Sequence, residues 1–324
     1  MLRRSDLERD YFDILKQGLT AEEYARFQAQ GVFPSPLVTQ VTSGTRGGRP
    51  LLIPRSLDDI LEISHRIMRP FSDRYNRLPA RVALIGGISH AAAAISLRAD
   101  GSQMRAFSAS DLSSIEEYDP ELVSCYPSII RELVAQGVLA KIRSLKGIKL
   151  GGERIFAHDI SLLKKRFPGI VLIEQLGSTE LPALAVGDYT EEDSRRLKLQ
   201  DRRFRFLLRP SDSWQKLIAA DGLEGLKFPI PGYFDSGDEV IWNGNFITEI
   251  RRQGDPANTY HSALENVYRL GCINLQLDLG ERKIYYQSRA RMPSDVELNG
   301  ELFRFEERPL TRLESSHKMP LLRS

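Results

Sequence analysis

The 324-residue chain has few of the residues that would point quickly to a chemistry. It holds two cysteines and five histidines. Cys125 and Cys272 stand far apart in apolar contexts, so the sequence supports neither a disulfide framework nor a zinc site. Buried thiols are expected instead. The formal net charge is only +2, which leaves no electrostatic footprint for nucleic acid or an acidic membrane surface. No apolar run approaches the ~20 residues of a membrane span. The first residues, Met1 to Asp6, lead into mixed charge and not into the apolar core of a signal peptide, so a cytoplasmic protein is expected. Also absent are a G-x-x-x-x-G-K-[ST] loop, a G-x-G-x-x-G turn and a G-x-S-x-G elbow. That speaks against a P-loop, a dinucleotide fingerprint and a serine hydrolase.

What is present is ordinary in bulk and specific in detail. Hydrophobic residues make up 41% and charged residues 27%, as in a soluble globular protein of one large and one small domain. The first thirty residues read as helix, with Leu7, Tyr11, Phe12 and Leu15 on one face. Pro34-Ser35-Pro36 ends it, and Leu37 to Val41 reads as a strand. Ser56 followed by Asp59 predicts a capped helix running to about Tyr75. From Arg81 to about Glu180, short apolar strands alternate with helical segments. Val82–Ile85, Leu122–Cys125, Ile148–Leu150 and Ile170–Ile173 are the strands. Ala91–Leu97, a segment opened by Pro127, and Ala157–Phe167 are the helices. That alternation predicts a parallel sheet covered by helices. Beyond Glu180 the pattern turns β-rich, with candidate strands at 181–186, 204–208, 239–242 and 246–250. Asn243-Gly244 is the hairpin turn between the last two. The charged break Arg251 to Pro256 reads as a hinge, dividing a domain of residues 1–252 from a small one of 253–324.

Between Val41 and Pro50 two hydroxyl-bearing residues, Thr42 and Ser43, precede Gly44-Thr45-Arg46-Gly47-Gly48-Arg49. Glycines let backbone N–H groups turn toward a ligand, and hydroxyls and guanidinium groups add donors, so the segment suits oligophosphate. A polar surface loop is the plain alternative. Three further segments pair glycine with an acid at probable strand ends. They are Gly151-Gly152-Glu153, Gly177-Ser178-Thr179-Glu180 and Ser236-Gly237-Asp238. Strand ends are where open α/β sheets bind ligands.

In this order the four segments resemble the adenylate-forming superfamily of acyl-CoA synthetases, and within it the phenylacetate–CoA ligase type. The resemblance covers roughly Thr42 to Asp255. It implies an α/β adenylation domain, with a mostly parallel sheet plus a β-rich segment, and a small α+β lid. It also implies activation of a carboxylic acid, an aromatic one in the nearest branch, by ATP and Mg²⁺ as an acyl-adenylate. The acyl group would then pass to CoA or a carrier-protein thiol. Thr42, Ser43, Gly44 and Thr45 would hold the β- and γ-phosphates. Arg46, which replaces a threonine, would clamp phosphate or else be a solvated loop arginine. Gly151, Gly152 and Glu153 would line the adenine pocket, although Glu153 could equally cap a helix. Gly177 and Ser178 belong to the second signature, where Leu176 replaces the usual aromatic. In it Thr179 would contact the α-phosphate and Glu180 would bind Mg²⁺. Asp238 would take the ribose hydroxyls, with Arg252 near them. Lys318 would be the lid lysine, with His317 in place of a glycine. His90 and Tyr126 are candidates for the wall of the acid pocket. The departures at Arg46, Leu176 and His317 leave open a second reading, a degenerate adenylation fold that binds nucleotide or aryl acid without turnover.

Overall fold

A computed structural model describes residues 3, 6–7, 20–30, 37–41, 52–86, 101–108, 112, 114–189, 195–208, 211–222, 232–312 and 319–322. Helix α1 (Ala21–Gln30) precedes two strands, β1 (Leu37–Val41) and β2 (Leu52–Ser56), which pair antiparallel. Helix α2 (Leu57–Tyr75) starts where the sequence predicts, because the Ser56 hydroxyl accepts the Asp59 N–H at 3.2 Å. It ends at Asn76, whose φ of 52° turns the chain out of the helix.

The next segment builds the parallel part of a large sheet. It comprises β3 (Arg81–Ile85), β4 (Gln103–Phe107), β5 (Leu122–Cys125), β6 (Gly147–Gly151) and β7 (Val171–Leu176). Helices α3 (Ser114–Tyr118), α4 (Pro127–Ala135) and α5 (Ala157–Arg166) lie between them in sequence. Every ladder among these strands is parallel. Both faces are apolar because both are covered. Val82, Leu84, Val171 and Ile173 pack with Ile63, Ile67 and Phe71 of α2. Ala83, Ile85, Val123 and Ile148 pack with α4 and α5.

The β-rich segment continues the same sheet antiparallel, through β8 (Ala185–Asp188), β9 (Leu197–Leu199), β10 (Phe204–Phe206), β11 (Ser211–Asp221), β12 (Phe234–Trp242) and β13 (Phe246–Arg252). Among the described residues the sheet has eleven strands in the order β10-β11-β12-β13-β9-β8-β7-β6-β5-β3-β4. Several details depart from the sequence reading: β4, β9 and α3 were not anticipated, and β12 begins at Phe234 instead of Glu239. The strand expected from Leu181 begins only at Ala185, because Leu181 closes a turn. Its N–H donates to Ser178 Oγ, and its carbonyl accepts the Ser178 N–H. The strand β11, eleven residues long, was not anticipated. Ser211-Asp212-Ser213 carries no apolar signal, and β11 exists through pairing with β10 and β12.

After β13, Asp255 caps a short turn at Pro256–Tyr260. Helix α6 (His261–Arg269) follows, then a four-stranded sheet of β14 (Cys272–Asp278), β15 (Lys283–Ser288), β16 (Asp295–Leu298) and β17 (Glu301–Glu307), in the order β14-β15-β17-β16. This unit has its own apolar core of Leu264, Val267, Leu275, Leu277, Ile284 and Phe303, into which Phe156 from the large sheet's side inserts. Cys125 and Cys272 are both buried free thiols.

Candidate functional site

The carboxyl ends of β5, β6 and β7 lie side by side. Cys125 pairs with Leu150, and Gly151 pairs with Gln175. The register therefore brings Tyr126, Gly151-Gly152-Glu153 and Gly177-Ser178-Thr179-Glu180 to one sheet edge. Two glycines there are needed for close approach. A Cβ on Gly151 would stand 3.0 Å from the Gln175 carbonyl oxygen. A Cβ on Gly177 would stand 2.6 Å from the Ala183 nitrogen and 2.9 Å from the Leu181 oxygen.

Glu180 is 4% exposed. Its carbonyl and that of Thr179 both accept from Arg55 Nη2, each at 2.9 Å. Arg55 is in turn paired with Asp59, Nη1 to Oδ2 at 2.9 Å. Burial lowers the Arg55 pKa and Asp59 opposes this. Strand β2 thus holds the second signature in place through one guanidinium.

Glu153 is engaged at the start of α4. Its carboxylate accepts the Ser128 N–H at 2.9 Å, the Ser128 hydroxyl at 3.0 Å and the Met319 N–H at 2.6 Å. A carboxylate suits this place, because the first N–H groups of a helix lack partners and carry partial positive charge. The helix-capping alternative is the geometry found, on α4 and not on the helix that follows Glu153 in sequence. The turn offers a ligand the backbone of Gly151 and Gly152, the latter exposed with φ of 83°.

Asp238 and Arg252, proposed separately from sequence, are cross-strand partners on β12 and β13. Arg252 Nη1 donates to Asp238 Oδ1 at 2.6 Å. Gly237 carries a φ of 72° in the bend before Asp238, and the ladder to β11 is irregular there. A chain of hydrogen bonds runs from this pair to the β6 turn. Asn258 Nδ2 donates to the Arg252 carbonyl at 2.6 Å, and Arg154 Nη2 donates to Asn258 Oδ1. Arg154 directly follows Glu153.

Arg154 also belongs to a cationic cluster that is not legible in the sequence. Arg195 donates to Glu174 Oε2 at 3.1 Å and to the Ile155 carbonyl at 2.6 Å. Tyr189 donates to the same Glu174 oxygen. His261 stacks on Phe156 with ring centroids 5.2 Å apart. Burial, with Arg154 and Arg195 nearby, pushes its imidazole down to about 4. Arg154, Arg195 and Asn258 sit in unremarkable sequence contexts, so only the fold identifies them.

Tyr126 is fully buried in the core beside Ile129 and Ile130. Leu176 packs against the apolar core of the antiparallel half. Thr42, Ser43, Gly44, Thr45, Arg46, His90 and Lys318, and the helix expected at Ala91–Leu97, lie outside the described residues. Among the described residues no group of three or more His, Cys, Asp or Glu side chains is placed to hold a metal, and no helix is long and apolar enough to cross a membrane.

No family model and no curated protein matches the chain. Solved structures do. IdnL7 matches with a TM-score of 0.60 at 16% identity, over 87% of this chain and 65% of that one. A variant of E. coli MenE with bound OSB-AMS matches with a TM-score of 0.57 at 14% identity, over 81% and 61%. Likeness at such identity is likeness of fold. The α/β architecture implied by the resemblance to the adenylate-forming superfamily is the one this chain has, across less than two thirds of the length of the structures it matches.

Proposed function

We propose that this protein activates a carboxylic acid with ATP, forming an acyl-adenylate and releasing pyrophosphate. The observation that carries the reading is the convergence at one sheet edge. The register of β5, β6 and β7 joins two of the sequence signatures there. The Arg154–Asn258–Arg252 chain links them to Asp238.

In this reading the backbone of the Gly151-Gly152 turn, exposed at Gly152, takes the planar base. Asp238 accepts from the ribose hydroxyls, and Arg252 orients its carboxylate. The Thr179 hydroxyl donates to the α-phosphate. Thr42, Ser43, Gly44, Thr45 and Arg46 hold the terminal phosphates, and Lys318 stabilises charge as the acid's oxygen attacks the α-phosphorus and the bond to pyrophosphate breaks. Glu180 fits Mg²⁺, which takes one or two carboxylates and completes its shell with phosphate oxygens and water. When bound, the ion supplies positive charge against the phosphates. An aromatic acid with His90 and Tyr126 near its pocket, and CoA or a carrier-protein thiol as acceptor, complete the proposal. Residues 253–324 serve as the lid domain.

The second reading, binding of nucleotide or aryl acid without turnover, is favoured by Leu176, whose contacts are with the apolar core. Acid-dependent ATP–pyrophosphate exchange across a panel of aryl and alkyl acids separates the two. Exchange that disappears in Glu180→Ala and Lys318→Ala supports the enzyme. Calorimetric ATP binding with no exchange supports the second reading. Neither binding nor exchange removes both.

A further inference from the structure

The Arg55–Asp59 pair that meets the second signature belongs to a larger buried cluster. Its other cation is Arg203, whose side chain is fully buried. Arg203 Nη2 lies 2.5 Å from Asp59 Oδ1 and 2.9 Å from Asp221 Oδ2, and Nη1 donates to Glu62. Asp59 thus stands between two guanidiniums, with Oδ2 on Arg55 and Oδ1 on Arg203. Burial opposes the charge on Arg203 while Asp59 and Asp221 outweigh it, so its pKa lies above the ordinary arginine value. The main chain of Arg203 is held as well. Its N–H donates to the Gln200 carbonyl at 3.0 Å, and its carbonyl accepts the Gly222 N–H at 2.7 Å. The approach is so close that a Cβ on Gly222 would stand 2.7 Å from that oxygen.

Burying charges is a poor way to gain stability, since apolar side chains of similar volume often do as well or better. What apolar side chains cannot do is aim donors. Arg55 Nη2 serves the carbonyls of both Thr179 and Glu180. Two successive peptide groups are thereby oriented, and with them the directions in which the Thr179 and Glu180 side chains leave the main chain. The aim of Arg55 depends on Asp59. That of Asp59 depends on Arg203 and on the helix start, where Ser56 caps the Asp59 N–H. Asp221 of β11 and Glu62 of α2 hold Arg203 from two further elements.

We infer that Arg203 is a positioning residue, acting through Asp59 and Arg55 to set the direction of Thr179 and Glu180. This relay stands on geometry; its bearing on ATP and Mg²⁺ rests on the proposed function.

Two variants test it. Arg203→Lys keeps the charge but replaces a fork that reaches three acids by a single ammonium. Asp59→Asn keeps the volume but leaves one acceptor oxygen for two guanidiniums. Calorimetry with ATP, in Mg²⁺ and in EDTA, reads both. In each variant the affinity should fall about tenfold with Mg²⁺ and less than about twofold without it, as when the support of a metal-ligating carboxylate is removed. The double variant should bind within about twofold of the weaker single, because the two residues act in series. Equal loss with and without Mg²⁺, no loss, or additive losses would each overturn the relay.

Amide hydrogen exchange supplies a readout independent of any nucleotide. The Ser178 and Leu181 amides close the turn around Thr179 and Glu180. In both variants they should lose at least about tenfold of their protection while the strand amides of β6 keep theirs. Unchanged turn amides, or a loss spread evenly into β6, would overturn the proposal. If the unsubstituted protein binds no ATP, the proposed function fails and the amides still decide the relay.

Discussion

Arg55→Met removes the guanidinium that ties β2 to the second signature. Arg55 Nη2 serves two carbonyls, those of Thr179 and Glu180, and Nη1 serves Asp59. Truncating one partner of a buried ion pair typically costs about 3–5 kcal/mol, mainly through the charge left behind. Here Asp59 keeps a second cation, Arg203 Nη2, at 2.5 Å from Oδ1. The low end therefore applies, about 3 kcal/mol, or roughly a hundredfold in the folding equilibrium. With a urea slope of about 3 kcal/mol/M the midpoint should fall by about 1 M, at unchanged slope. ATP affinity should fall with it, because the carbonyls flanking the Glu180 side chain lose their tether. Urea titration followed by tryptophan fluorescence, paired with calorimetry on the folded protein, reads both. A destabilisation below about 1 kcal/mol would mean that Arg55 does not carry the loop, and the reasoning would fail.

Gly177→Ala should cost about 1–3 kcal/mol, since its Cβ meets backbone atoms of Leu181 and Ala183 that cannot move aside; urea midpoints test this, and wild-type stability would contradict the turn geometry. Gly254→Ala meets nothing within 4 Å, so only its φ of 69° opposes it, and a cost of about 1 kcal/mol is expected by the same titration. His261 is held down to about 4 in the folded state, below its unfolded value near 6.5. The unfolded chain therefore binds the extra proton first, and stability that is full above pH ~6.5 is lost as pH falls toward 4. His261→Phe, which keeps the ring on Phe156, should flatten the urea midpoint between pH 7 and 4.5; an unchanged slope would contradict this. If Asp238 accepts from the ribose hydroxyls as proposed, Asp238→Ala should weaken ATP binding by about tenfold or more while leaving pyrophosphate affinity alone, measured by calorimetry.

Several elements were legible because their cause is local. Ser56 and Asp59 announce α2, since a hydroxyl can reach a backbone N–H three residues on. The alternation from Val82 to Ile173 announces a doubly covered sheet, because only strands buried on both faces are apolar throughout. Strand β11 was not legible. Its first residues, Ser211-Asp212-Ser213, carry no apolar signal, and although Leu217 and Ala219 reach the core, the length of the strand follows from its pairing with β10 and β12. The same division runs through the site. Gly177-Ser178-Thr179-Glu180 and Ser236-Gly237-Asp238 could be picked out singly, because turns need glycine and ligands need acids.

The sequence by itself determined the secondary structure's alternation, the strand-end turns and the resemblance those turns carry, for each depends on residues a few positions apart. Tertiary structure alone decided that Glu153 caps α4, that Asp238 meets Arg252, and that Arg203 meets Glu62. Those pairings join residues 14 to 141 positions apart. A charged side chain has no local preference that names a distant partner; burial selects the partner once the strands have fixed the register.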